Sequence, residues 1–258
     1  MIGLVYRGEE YSPNDNVAKD KAVLEAVGIC LTQRGESVRY LSEEDLCNED
    51  ALQDLDGCIS MARRWKSLLT LQKAVGRGMW VKNDPSSVQV TVQSRSTTLE
   101  VLQSAGLPVV PFWSYEPSED RMFQCEPELQ ELLPGWVKAM HPRGVNAGDV
   151  CRVETPLETD VKIIQRASEG YTDIIVARHL EGTLQKVYLV GDQCWPTQEY
   201  ADLVRRVSVT IGLEILGVDL IVTESGPYII DVNDFPSFSS CREEAASAIA
   251  NLYEATKP

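Results

Sequence analysis

Residues 217–240, GVDLIVTESGPYIIDVNDFPSFSS, decide the reading of the chain. Two apolar runs, 217–223 and 227–233, flank Glu224-Ser225-Gly226. A three-residue connection closed by glycine predicts a hairpin whose last turn residue takes positive φ. Side chains alternate between the two faces of a strand. On that register Asp219 lies opposite Asp231, and Ile221 opposite Ile229. Val218, Leu220, Val222, Tyr228, Ile230 and Val232 then share an apolar face, while Asp219, Asp231 and Asn233 gather at the far end of the other.

Opposed residues hold their Cβ atoms about 4.5–5.5 Å apart, so two carboxylates there repel and raise each other's pKa. A cation between them removes the repulsion, and two carboxylates with an amide oxygen are hard donors of the kind Mg²⁺ takes. A solvated outer face is the plainer alternative. Ile221 and Ile229 argue against it, because a water-facing side seldom carries an apolar pair beside its acids.

The chain of 258 residues is long enough for one large domain or two or three small ones. Its 24 basic and 39 acidic residues leave a net charge of −15, which argues against nucleic acid or an anionic membrane as principal partner. A nucleotide needs only a few local cations and is not excluded. Seven scattered cysteines form no CxxC pair and no metal-ligand spacing, the pattern of reduced thiols in a cytoplasmic protein. Neither a signal peptide nor a membrane-spanning run is expected. With two histidines and no hydrolase-like spacing, triad chemistry has no support.

Before the hairpin, strands at 2–6, 38–41, 57–61 and 79–82 alternate with helical patterns, which predicts a small open α/β layer. Such a layer places ligands at the carboxyl ends of its strands, where Tyr6-Arg7 and Ala62-Arg63-Arg64 fall. An acidic substrate could meet one of these arginines; surface arginine is the plainer reading of each. Asn83-Asp-Pro-Ser-Ser87 ends the layer. A helix over 96–104, with Leu99 and Leu102 inward, leads to Gly106-Leu-Pro-Val-Val-Pro111. Strands come next at 136–138, 149–153 and 174–177, with a helix over 155–167 between the last two. A further helix over 198–211 returns to the hairpin, and one starting at Arg242 closes the chain.

The order of these pieces resembles the ATP-grasp enzymes, in the branch of glutathione synthetases and ribosomal-protein glutamate ligases. Asp219 followed by Asp231-Val-Asn233 resembles that family's metal-binding end, with Asp231 where Glu is commoner. The entry Gly106-Leu-Pro-Val-Val-Pro111 is similar too, and Arg95 stands where many members carry Lys ahead of the preceding helix. The resemblance implies a small N-terminal α/β domain (1–84), a nucleotide-binding subdomain (85–177) and a metal-binding subdomain (178–258). It implies ATP held with Mg²⁺ on Asp219, Asp231 and Asn233. Lys138, at the end of a strand, and Lys186 would act on the phosphates as the catalytic cations. The stretch Arg178-His179-Leu180-Glu181-Gly182 stands at the family's adenine hinge, matching it only from Leu180 to Gly182. Loop 139–148, with His141, Pro142 and Arg143, stands where relatives carry a more glycine-rich flap.

The activity that the resemblance implies is that of an ATP-dependent ligase joining a small-molecule or peptide carboxylate to an amine or thiol through an acyl phosphate. A phosphotransferase on the same scaffold and a non-catalytic ATP-binding protein are the alternatives. Self-association into a homo-oligomer is left open.

Overall fold

The computed structural model describes residues 1–12, 16–115, 127–140, 144 and 148–256. In chain order the elements are β1 (Ile2–Val5), α1 (Asn16–Gln33), β2 (Val38–Leu41), β3 (Gly57–Ser60), α2 (Trp65–Gly76), β4 (Trp80–Lys82) and α3 (Pro85–Gln93). Next come α4 (Arg95–Ser104), β5 (Phe112–Tyr115), α5 (Pro127–Gln130), β6 (Gly135–Met140), β7 (Val150–Val153), α6 (Pro156–Ser168) and β8 (Asp173–Arg178). The last part holds β9 (Thr183–Val190), β10 (Gln193–Trp195), α7 (Ala201–Ile211), β11 (Ile215–Thr223), β12 (Gly226–Asn233) and α8 (Arg242–Thr256). The fold is mixed α/β, as expected, with three four-stranded sheets among the described residues.

The chain packs as two units. The first gathers 1–92, 186–218 and 232–258, the second 93–185 and 219–231. In the first unit the strands run β2-β1-β3-β4, all parallel. Val23, Leu24, Val27 and Leu31 recur at helical spacing on α1 and are wholly buried. They share a core with Ile2, Leu4 and Ile59 of the sheet and with Ala245, Ala246 and Ile249 of α8. Gly35, at φ +87°, ends α1 in a conformation costly for any side chain.

One helix was not expected. The Asn83–Ser87 stretch reads as a terminator, yet α3 begins inside it. Asp84 caps it, its Oδ1 accepting from the backbone N–H of Ser86 and Ser87 at 3.0 Å each, and Pro85 supplies the fixed φ of a first helical residue. The β-branched run Val88, Val90, Thr91 and Val92 hides this helix, because such residues have weak helix propensity.

In the second unit β5-β8-β6-β7 form an antiparallel sheet. Val137 and Ala139 of β6 point into its core with Val153, Ile163, Ile174 and Val176. By alternation Lys138 leaves by the opposite face. Helix α6 starts as expected, Thr155 capping the N–H of Glu158 with Pro156 at the first turn.

The third sheet runs β10-β9-β11-β12, its strands dividing between the two units within β9, β11 and β12. Glu224-Ser225 makes the turn, and Gly226 takes φ +123° as the glycine closing it should. The expected apolar face needs a correction. Val218 and Leu220 are buried, but on β12 the fully buried residue is Ile229, while Tyr228, Ile230 and Val232 are half-buried. The cause is a neighbour that alternation does not reveal. Segment 108–110 runs parallel to β12, Ile229 N–H donating to Pro108 O at 2.7 Å and Val110 N–H to Ile229 O at 2.9 Å. Gly182 shows how closely β11 is approached, since a Cβ there would lie 2.4 Å from the Val222 carbonyl oxygen.

Candidate functional site

Within the second unit, four charged residues come together from three elements and the start of a fourth. Lys138, on the non-core face of β6, is only 9 % exposed, and its Nζ donates to the Ile230 carbonyl on β12 at 2.8 Å. Burial lowers its pKa; Asp231 and Asp219 pull it back up, and Arg95 pushes it down again. Asp219 (β11), Asp231 (β12) and Arg95 thus all act electrostatically on Lys138. Arg95 Nη1 donates to Asp231 Oδ1 at 2.6 Å. The anchoring of Arg95 is itself built in: the buried Asp173 accepts from Arg95 N–H at 2.5 Å and from Ser96 Oγ at 2.8 Å, at the first turn of α4.

Asn233 and Lys186 belong to the first unit. Asn233 Oδ1 accepts from Arg63 Nη2 at 3.0 Å and from Phe235 N–H at 3.2 Å. Lys186 stands on β9 with an exposed side chain. Around Asn233 lies a buried ionic cluster that the sequence did not announce. Asp234, 2 % exposed, pairs with Arg63 and lies 4.0 Å from Arg7, which in turn donates to Asp20 at 2.9 Å and to Phe235 O at 2.7 Å. Asn83 Nδ2 donates to the carbonyls of Ile215 and Asp234. The reading of Arg7 and Arg63 as surface arginines is therefore overturned. They sit just past the carboxyl ends of β1 and β3 because residues 233–235 supply acceptors there. Arg64 is the more exposed of the set and pairs with Glu10 and Glu44.

The hinge stretch begins at the end of β8. The N–H groups of Arg178 and His179 donate to Pro111 O and Pro134 O, both at 2.9 Å. His179 Nδ1 accepts from Trp136 Nε1 at 3.1 Å, which puts the ring's proton on Nε2, facing Glu181 at 3.1 Å. His179 thus hydrogen-bonds to Trp136 and faces Glu181. Leu180 is half-buried and Glu181 exposed. Of the loop 139–148, His141, Pro142 and Arg143 lie outside the described residues.

Asp219 and Asp231 offer hard oxygen donors, half-buried and set among cations, and a pair of this kind fits a divalent ion shared with phosphate oxygens. Among the described residues no group of three or more His, Cys, Asp or Glu forms a metal cage. Any ion held by this pair would accordingly need further donors, as a ligand can supply. No helix among the described residues is long and apolar enough to cross a membrane.

The architecture is that of the ATP-grasp fold. It is shared with D-alanine–D-alanine ligase from Bacillus anthracis at a TM-score of 0.76 and 13 % identity, covering 99 % of this chain and 96 % of that one. The same ligase complexed with ATP superposes with a TM-score of 0.75, at 12 % identity over 99 % and 97 % of the two chains. A RimK domain protein ATP-grasp from Sphaerobacter thermophilus DSM 20745 gives 0.71, with 16 % identity over 97 % and 98 % of the two chains. The ATP-grasp ligase PsnB complexed with minimal precursor gives 0.68, with 17 % identity over 98 % of each. No family model matches the sequence, and no curated protein is similar to it in sequence. At these identities what is shared is the fold.

Proposed function

We propose that the protein is an ATP-dependent ligase that activates a carboxylic acid and joins it to an amine or thiol. The observation that carries this reading is the buried Lys138 with Asp219, Asp231 and Arg95 around it, in a fold shared over nearly its whole length with ATP-grasp ligases. Asp219 and Asp231, with Asn233 two residues further along the same strand, would hold Mg²⁺. Bound there, the ion would supply positive charge to the β- and γ-phosphates as the phosphoryl group moves.

The chain's own residues supply the rest. Lys138 is fixed by its bond to Ile230 O and desolvated, so in its ammonium form its charge acts more strongly on a phosphate than a solvated one would, and without reorganisation. Lys186 is the second cation in this reading. Arg178 and His179 spend their N–H groups inside the protein, so adenine would be read by the backbone of Leu180 and Glu181. In the reaction a substrate carboxylate oxygen attacks the γ-phosphorus, the bond to the β,γ-bridging oxygen breaks, and ADP leaves. The acyl phosphate is then attacked at carbon by the amine, which loses a proton as inorganic phosphate departs. No protein nucleophile is needed.

Release of ADP and phosphate from acid–amine pairs tests the proposal, with hydroxylamine as a general nucleophile that traps acyl phosphates as hydroxamates. Transfer of one ¹⁸O from labelled carboxylate to phosphate is expected. A stable phosphorylated product without need of an amine would make the protein a kinase instead. Nucleotide binding with no turnover across the panel would favour a non-catalytic ATP binder.

Lys138→Met keeps the apolar stem and removes the charge. It is expected to weaken nucleotide binding or slow turnover at least tenfold, about 1.4 kcal/mol, while the protein stays folded. Calorimetric titration with ADP and ATP measures the first effect. Unchanged binding and turnover would separate Lys138 from the phosphates.

A further inference from the structure

The two carboxylates given to the metal already have counter-cations from the chain itself. Arg95 Nη1 lies 2.6 Å from Asp231 Oδ1, and the Lys138 ammonium feels both Asp231 and Asp219. Two negative groups thus face two positive ones, and the cations oppose each other, Arg95 disfavouring the charged form of Lys138. A divalent ion arriving alone meets carboxylates already facing two cations, which repel it.

Arg95 is placed there by its backbone. Ser94 caps α4 through Thr97 N–H, and Asp173 holds the N–H of Arg95 itself. Its side chain is less committed. The Nε is buried and has no hydrogen-bond partner among the described residues, and the bond to Asp231 uses one end of the guanidinium. A guanidinium has five N–H donors in a planar fork that suits carboxylate and phosphate alike. A group so anchored at its root and so sparsely engaged at its tip can change acceptors without disturbing the helix.

We infer that Arg95 is an internal counter-cation that withholds Asp231 from divalent metal until an anionic ligand draws the guanidinium away, so that metal binds only together with a polyphosphate. The inference rests on the assignment of Asp219 and Asp231 to the metal made above. A polyphosphate brings enough negative charge to satisfy Arg95 and the ion together, which the two carboxylates cannot do. Arg95 is in this role a positioning residue for charge, and its effect should appear in metal binding before any chemistry occurs.

The test is a Mn²⁺ titration followed by electron paramagnetic resonance on the full chain, without nucleotide and with ADP. Without nucleotide, Arg95→Met is expected to bind Mn²⁺ at least tenfold more tightly than the unmodified protein. Arg95→Lys should stay near the unmodified affinity because it keeps the charge. ADP should tighten Mn²⁺ binding at least tenfold in the unmodified protein and by a smaller factor in Arg95→Met. Every substitution leaves the N–H that Asp173 accepts from, and Arg95→Gln, also uncharged, replaces Arg95→Met should the latter unfold. No gain in Arg95→Met, or an equal gain in Arg95→Lys, overturns the inference. A gain that survives in the double variant Arg95→Met/Asp231→Asn would overturn the placement of the metal on Asp231, the separate reading on which the inference stands.

Discussion

Asp231→Asn is expected to lower ATP turnover by on the order of a thousandfold while leaving a cooperatively folded protein. The substitution keeps the size of the side chain and removes the negative charge that, in the proposed reaction, holds Mg²⁺ against the moving phosphoryl group. Stability should change little. Asp231 is half-exposed, and its bond to Arg95 can be replaced by one from Arg95 to the amide oxygen. Steady-state ADP release and a thermal melt, run on the same preparation, separate the two effects. Full activity in this variant would remove Asp231 from the site. Lost activity with lost cooperativity would show a structural residue instead.

The second large effect lies in the first unit. Asp234→Ala is expected to cost about 3–5 kcal/mol of folding free energy, because it leaves Arg63 and Arg7 buried with their shared carboxylate gone. Arg7 keeps Asp20 as a partner, and Arg63 keeps the Asn233 amide oxygen. The pH dependence has a definite sign. Burial alone would raise the Asp234 pKa, but Arg63 and Arg7 outweigh it and hold the carboxyl below its ordinary range. A folded-state pKa below the unfolded one, about 3.9, gives stability that is complete above that value and lost as pH falls through the folded pKa. Urea denaturation at a series of pH values should therefore show the unmodified protein weakening in that acid window, with a flatter dependence in Asp234→Ala. A variant within about 1 kcal/mol of the unmodified protein would mean that the arginines find other acceptors at little cost.

These two neighbouring acids, Asp231 and Asp234, show where local sequence suffices. The hairpin, its glycine-closed turn, the small α/β first layer and the inward faces of α1 and α4 were all legible, because periodicity and caps act over a few residues. The acid-x-Asn spacing of Asp231 and Asn233 singled out one end of β12 for the same reason. Helix α3 was missed although its cap was local, since its β-branched residues read as strand or loop. The burial of Ile229 could not be foreseen, because it depends on segment 108–110 lying along β12.

Charge partners were the larger gap. Read along the chain, Arg7, Arg63 and Arg95 stand out only by position, with no carboxylate partner in view, and Asp234 is one more acid after a hairpin. Arg7 and Asp234 are 227 positions apart, Arg63 and Asp234 171, and Arg95 and Asp231 136. Whether an arginine faces water, a substrate or a buried carboxylate is set by which carboxylate the fold brings to it, and no local pattern encodes that. The sequence by itself determined most of the elements, their order and the acids at the end of the hairpin. Only the tertiary structure decided that those acids already hold cations, since Coulomb energy depends on distance in space and on burial, and both arise when the chain closes on itself.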